Sequence, residues 1–166
     1  IGVQSRKIRN QNELDQIDGL IIPGGESTAI GKLLDDFALT KPLSKHISAG
    51  MPVWGTCAGM ILLAKKIHGQ EKTYLNAMDI AVRRNAYGSQ LESFTTMQTI
   101  AQVADKKLPL VFIRAPYIDS VGKNVAVLSE IDDNIVAAKQ HNMLATSFHP
   151  ELTEDTSFHQ YFLSMC

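Results

Sequence analysis

Two short stretches carry residues whose types and surroundings suit covalent chemistry. Gly55-Thr56-Cys57-Ala58-Gly59 has the G-x-C-x-G form of a nucleophile elbow, with Cys57 at its centre. A tight strand-to-helix turn forces the nucleophile into an unfavourable backbone region, and the glycines keep neighbouring side chains from crowding it. The helix expected after it directs its positive end at the thiol. Far downstream stands Phe148-His149-Pro150-Glu151. A thiol that attacks an amide needs a base to take its proton and return it to the leaving group, which His149 can supply. Glu151 can orient the imidazole, and Pro150 stiffens the step between them.

Taken singly, each signal has a plainer reading. Cys57 alone would serve as well as a buried structural cysteine in a turn. A lone histidine is more often a solvated or core residue, the reading given to His46, His68, His141 and His159. The coincidence of elbow and His-Pro-Glu is what favours chemistry at His149. A third stretch, Pro23-Gly24-Gly25-Glu26-Ser27, has two glycines that let backbone N–H groups approach a ligand closely, as an oxyanion hole requires. By itself it is equally an anion-binding turn or a tight loop. No His/Cys/Asp/Glu grouping has metal-ligand spacing, so no metal site is expected.

Positioning these groups requires a sheet whose strands end at them. Gly19 to Ile22 is a continuous apolar run stopped by Pro23, as in a buried parallel strand, and Ser27 to Asp36 reads as a helix. Pro42 to Ala49 reads as a second helix, Pro52 to Trp54 as another buried strand, and Gly59 to Ile67 as an apolar helix. This alternation predicts an α/β sheet with helices on both faces, and in such sheets sites form at the carboxyl ends of strands. Met78 to Arg83, Met97 to Val103, Leu110 to Ile113, Val125 to Leu128, Ile135 to Lys139 and Met143 to Ser147 read as further strands. Several alternate polar and apolar residues, so part of the sheet is expected to be antiparallel or mixed. Thr156 to Met165 closes the chain as a helix. The fold expected is a three-layer α/β sandwich.

Composition narrows the setting. The 166 residues, 45% hydrophobic and 20% charged, suit one soluble domain with a real core, and nothing divides the chain into two. A formal charge of −1 with dispersed basic residues argues against a nucleic-acid or membrane surface. There is no span-length apolar run and no signal-peptide pattern. With only two cysteines, Cys57 and Cys166, a disulfide framework is not expected and a cytoplasmic location is the simplest.

The opening residues are discordant. Ile1-Gly2-Val3 resembles a first parallel strand and Arg6 to Arg9 its neighbour, yet parallel neighbours need a crossover of about a dozen residues. Either one strand assignment is wrong, or a segment is missing between Val3 and Gln4.

Cysteine in G-x-C-x-G followed by His-Pro-Glu resembles the class I, or triad, glutamine amidotransferases. Five stretches in order narrow the likeness: Pro23-Gly24-Gly25-Glu26-Ser27-Thr28, Trp54 to Gly59, Arg83-Arg84-Asn85-Ala86-Tyr87-Gly88, Phe112-Ile113-Arg114-Ala115-Pro116 and Ser147 to Leu152. Together they are similar to the glutaminase subunits of pyridoxal 5′-phosphate synthase, from about Gly19 to the last helix. The resemblance implies a flavodoxin-like fold with a mixed central sheet, and a Cys57–His149–Glu151 triad that hydrolyses L-glutamine through a γ-glutamyl thioester. It further implies oxyanion donors at Gly25 and Ala58, and substrate contacts from Gly25, Glu26, Ser27, Arg84, Ile113 and Arg114. No cofactor is implied; the implied partner is a synthase subunit that receives the ammonia. The family's Leu-Gln-Gly loop and following helix, which come after its first strand, have no counterpart here. Two rivals remain at this point: a glutaminase for another synthase, such as imidazole glycerol phosphate synthase, and a redox-sensing cysteine module.

Overall fold

The computed structural model describes residues 1–84 and 93–166. In chain order the elements are α1 (Gln11–Leu14), β1 (Leu20–Ile22), α2 (Ser27–Asp36), α3 (Thr40–Ser48), β2 (Val53–Thr56), α4 (Ala58–Leu63), β3 (Ala64–Ile67) and β4 (Met78–Arg83). They continue with β5 (Phe94–Ile100), β6 (Ala104–Phe112), β7 (Tyr117–Val121), β8 (Ala126–Ile131), β9 (Asn134–Gln140), β10 (Met143–Thr146), a 3-10 turn at Pro150–Leu152 and α5 (Ser157–Leu163). The main sheet runs β1-β2-β10-β9-β7-β4-β3, with β8 also on β9. Its β1-β2-β10 part is parallel; β10-β9, β9-β7, β7-β4 and β8-β9 are antiparallel, and β3-β4 is parallel again. The sheet is therefore mixed, as the alternating second-half strands predicted.

Pleating divides the core into two. Val53, Ala138, Met143 and Ala145 face a cluster shared with Leu14 of α1, Leu43 and Ile47 of α3 and the buried α4. Trp54, Ala137 and Leu144 face the other side, against Phe158 and Phe162 of α5 and the β5–β6 hairpin with its buried Phe112. Helices, sheet, and hairpin with α5 make three layers. Among the described residues no helix is long and apolar enough to cross a membrane.

Two sequence expectations are corrected here. The helix expected over Gly59 to Ile67 stops at Leu63, where Ala64 turns extended (φ −64°, ψ 140°) and β3 begins. The last-turn carbonyls of Leu62 and Leu63 accept from the N–H groups of Leu75 (3.0 Å) and Ala77 (3.0 Å), which closes the helix with tertiary rather than helical partners. Lys65 and Lys66 are then exposed while Ile67 is buried and pairs with Val82. The strands expected at Ile1–Val3 and Arg6–Arg9 do not form: residues 1–9 hold no regular element, and Ile1 and Val3 are 60% and 55% exposed. The sheet ends at β1 instead.

Two closely approaching backbones fix the elbow against the sheet. A Cβ on Gly59 would overlap the carbonyl oxygen of Ile22, and one on Gly55 would overlap the Gly59 backbone. Neither neighbour is a side chain that can swing away. Gly59→Ala should therefore cost about 3 kcal/mol, a drop in Tm of roughly 6–12 °C for a chain of this size. A thermal melt within 2 °C of wild type, about half a kcal/mol at this scale, would disprove the packing account.

Candidate active site

The site forms where β1, β2 and β10 end together. β2 runs into Cys57, whose backbone is strained (φ 50°, ψ −105°) and which stands at the N-cap of α4. Two contacts hold this conformation. The Cys57 N–H donates to the carbonyl of Thr146 at the end of β10 (2.7 Å), and the Cys57 carbonyl accepts from Met60 N–H (3.1 Å). The flanking glycines meet backbone, as above, so the elbow is pinned on both sides. Thr146 is held in turn by its own hydroxyl, which accepts from Trp54 Nε1 (3.1 Å).

His149 leaves β10 and is fixed through its N–H, which donates to the Val111 carbonyl of β6 (2.8 Å). Its Nδ1 is 2.7 Å from Glu151 Oε1, and the imidazole is also hydrogen-bonded to Cys57. The 3-10 turn beginning at Pro150 folds the carboxylate back under the ring. Gly24 closes the arrangement from β1: a Cβ there would overlap His149 Cε1 and lie 3.5 Å from Cys57 Cβ. Cys57 and His149 are 8% and 12% exposed, so their interaction is poorly screened.

Electrostatics follow from these contacts. Hydrogen bonding to Cys57, then to Glu151, raises the His149 pKa from 6.5 to about 10 despite burial. Burial pushes the Glu151 carboxyl up, but the hydrogen bond with His149 and neighbouring charges outweigh it, leaving the carboxyl below its usual range. Between His149 and Glu151, both shifts favour the proton on the imidazole. Since the folded value lies above the unfolded one, the imidazolium's contribution to stability is complete below pH 6.5 and vanishes as pH rises towards about 10. The stability advantage of wild type over His149→Ala should thus shrink across that window in urea unfolding; a gap independent of pH would contradict it.

The other expected residues fall around this centre. Glu26 caps α2, accepting from Thr28 N–H (3.0 Å) and Ala29 N–H (2.7 Å), and those two bonds chiefly lower its pKa. Arg84 Nη2 reaches Glu26 Oε1 at 3.1 Å, so the end of β4 meets the Gly-Gly turn. Gly25 has φ 146°, and Ser27 is buried with its hydroxyl lacking a partner among the described residues. Ala58 is the first residue of α4, beside the thiol. Ile113 and Arg114 follow β6 just past Val111, and Arg114 has φ 44°. A cleft of about 420 Å³ lined by His68, Gly69, Arg83, Arg84 and Tyr117 adjoins the Arg84 side. Asn85, Ala86, Tyr87 and Gly88 lie outside the described residues. The sequence reading passed over Gly24 as an individual residue, and Thr146; the break of the apolar strand at Thr146-Ser147, just before His149, was the available signal.

The model of the SNO glutamine amidotransferase family matches residues 1–166. The chain belongs to that family. Among relatives, a Ruminiclostridium cellulolyticum protein named pyridoxal 5′-phosphate synthase subunit PdxT is 62% identical over 163 residues, 98% of this chain and 86% of the relative. A Clostridium botulinum protein of the same name is 56% identical over 161 residues, 97% of this chain and 83% of its own. A crystal structure of a glutamine amidotransferase superposes with a TM-score of 0.93 at 40% identity, covering 99% of this chain and 87% of that one. A putative GMP synthase subunit from Thermoplasma acidophilum shares the fold alone, with a TM-score of 0.62 at 18% identity over 95% of this chain and 76% of that one. As a member of the SNO family the chain is a glutamine amidotransferase, and its α/β fold with a mixed sheet is that of the family.

Proposed function

We propose that this SNO-family chain hydrolyses L-glutamine to L-glutamate and ammonia through Cys57, His149 and Glu151, and delivers the ammonia to the synthase subunit of a pyridoxal 5′-phosphate synthase. The observation that carries the chemistry is the imidazole of His149 bonded at once to Cys57 and, at 2.7 Å, to Glu151. The partner follows from the relatives, which bear the name of a synthase subunit.

With the proton already on His149, the Cys57 sulfur attacks the side-chain amide carbon of glutamine. The carbonyl oxygen gains the negative charge, and the backbone N–H groups of Gly25 and Ala58 receive it. As the C–N bond breaks, His149 donates its proton to nitrogen and ammonia leaves, so Cys57 carries a γ-glutamyl thioester. His149, now neutral, takes a proton from water; the hydroxyl adds to the thioester, and glutamate departs as sulfur regains its electron pair and His149 keeps the proton. Glu151 stabilises the imidazolium throughout without being protonated. Gly25, Glu26 and Ser27 line the substrate turn, where the unpaired buried Ser27 hydroxyl has reason to bind a polar ligand. Arg84 and Arg114, beside Ile113, suit the α-carboxylate, because a guanidinium fork engages two oxygens at once.

Ammonia made without an acceptor is wasted, so the glutaminase is expected to be slow alone and accelerated by its partner, with rotation of the Gly24–Gly25 peptide as the gate. Steady-state glutamine hydrolysis with and without co-purified synthase tests this. An increase of about tenfold or more on adding synthase is expected; equal rates would remove the gating, and failure of the synthase to co-purify would remove the partner.

A further inference from the structure

The β5–β6 hairpin has one face in the core and one in solvent. Directly opposed residues of an antiparallel pair point to the same side, and sides alternate along each strand. Phe94 opposes Phe112, Thr96 opposes Leu110 and Gln98 opposes Leu108, and the three β6 residues are buried in the core. The outer face is therefore made by Thr95 with Val111, Met97 with Pro109 and Thr99 with Lys107. There Thr95, Thr99 and Lys107 are exposed, and Met97 is 51% exposed. The hairpin is a sheet of its own, two strands wide, and among the described residues β5 pairs with no strand but β6.

This outer face runs into the active site. The Phe148 ring meets that of Phe112 edge-on, with centroids 5.7 Å apart, so Phe148 lies on the inner side of the hairpin. One residue on, the His149 N–H donates to the Val111 carbonyl (2.8 Å), and alternation puts the imidazole on the outer side with Val111. Two more apolar side chains are exposed at that end. Ile113 comes directly after β6, and Leu152 belongs to the 3-10 turn that carries Glu151 and packs on β6. A solvent-facing strip from Met97 past Val111 to Ile113 and Leu152 thus leads to the relay, and such a strip marks an interaction surface. At its far end Lys107 has no ion-pair partner among the described residues, whereas its neighbour Lys106 is held by Asp155 at 2.6 Å.

We propose that the outer face of the β5–β6 hairpin is a docking surface for the synthase subunit, which covers the strip with apolar side chains and sets a carboxylate against Lys107. The inference rests on the synthase partnership proposed above and says where that partner binds. Place and charge select the occupant. Ammonia is released beside His149, so a subunit that receives it must seat where the strip ends, and extending along the strip buries Met97 as well. The unpaired lysine at the far end is matched by an acidic side chain.

The experiment measures the affinity of purified synthase subunit for wild type, Met97→Lys, Lys107→Glu and Phe37→Lys, with glutamine hydrolysis followed in the same mixtures. Met97→Lys should raise Kd by about tenfold or more while leaving kcat at saturating synthase within about twofold of wild type. Lys107→Glu should raise Kd about threefold at low salt, and less as salt is added. Phe37, at the far end of α2 and 60% exposed, is the control: Phe37→Lys should bind as wild type does. Unaltered binding by Met97→Lys, or by Lys107→Glu at low salt, would overturn the proposal, as would an equal loss in Phe37→Lys. So would a wild-type chain that self-associates and is dispersed by Met97→Lys with its affinity for synthase unchanged, since the occupant would then be a second copy. If wild type itself does not bind synthase, the partnership fails and this proposal with it, a result distinct from the others. Should Met97→Lys not fold, Met97→Gln removes the apolar contact without a charge and is read in the same way.

Discussion

Replacing Cys57 or His149 by alanine should lower kcat for glutamine hydrolysis by about 10³-fold or more, and the double variant should be scarcely worse than either single one. In the proposed mechanism the two act as one unit: sulfur forms the bond and the imidazole carries the proton that leaves with ammonia. Removing either leaves what the oxyanion donors and substrate binding accomplish alone. Glu151→Gln should cost about ten- to a hundredfold less, because the carboxylate orients and stabilises without forming a bond. The assay must include the synthase, so that a gated enzyme is not mistaken for a dead one. A His149→Ala protein with wild-type turnover in that complex would end the assignment.

Gly24→Ala should be nearly as damaging without touching a reacting atom. The new methyl would occupy the place of His149 Cε1 and press on Nδ1 at 3.2 Å. The imidazole must move, and it is tied at Nδ1 to Glu151 and through its backbone to Val111. A displacement of about 1 Å is worth about 10²-fold in rate when the reacting groups are otherwise in place. Gly24 is only half-buried at the end of β1, so the variant should melt close to wild type. This separates it from Gly59→Ala, in which stability fails first. Activity of Gly24→Ala within threefold of wild type would mean that the glycine serves the chain turn alone.

The parts of this architecture written in local pattern were readable before any coordinates. β1 is an unbroken apolar run ended by Pro23, and α2 begins at a residue able to cap it, so strand, turn and helix announce themselves. That Cys57, His149 and Glu151 would meet was legible for a different reason: the chemistry proposed for them demands neighbours of restricted type. What stayed hidden depended on tertiary partners. The end of α4 is made by Leu75 and Ala77 bonding to its carbonyls, which no residue near Leu63 betrays. β7 was missed because Asp119 and Ser120 interrupt its apolar pattern; its place comes from pairing with β4 and β9. β5 begins at Phe94, but the polar Thr95-Thr96 pair delayed the reading to Met97, which then ran on through the turn at 101–103. The short α1 had a usable signal in Asn10, whose side chain accepts from Glu13 N–H, and in Glu13, whose carboxylate accepts from Arg9 N–H, but four residues are too few to show periodicity.

The backbone of Cys57 has a further meaning for how such a protein can change over generations. A side chain held at φ 50°, ψ −105° costs about 1–3 kcal/mol, a sizeable share of the roughly 5–15 kcal/mol by which a domain outweighs its unfolded chain. Glycine would relieve that strain, whereas alanine would keep it. Selection for heat tolerance alone would therefore drift towards glycine at this position, whereas the nucleophile proposed here requires cysteine, so stability and the proposed chemistry pull this one residue in opposite directions.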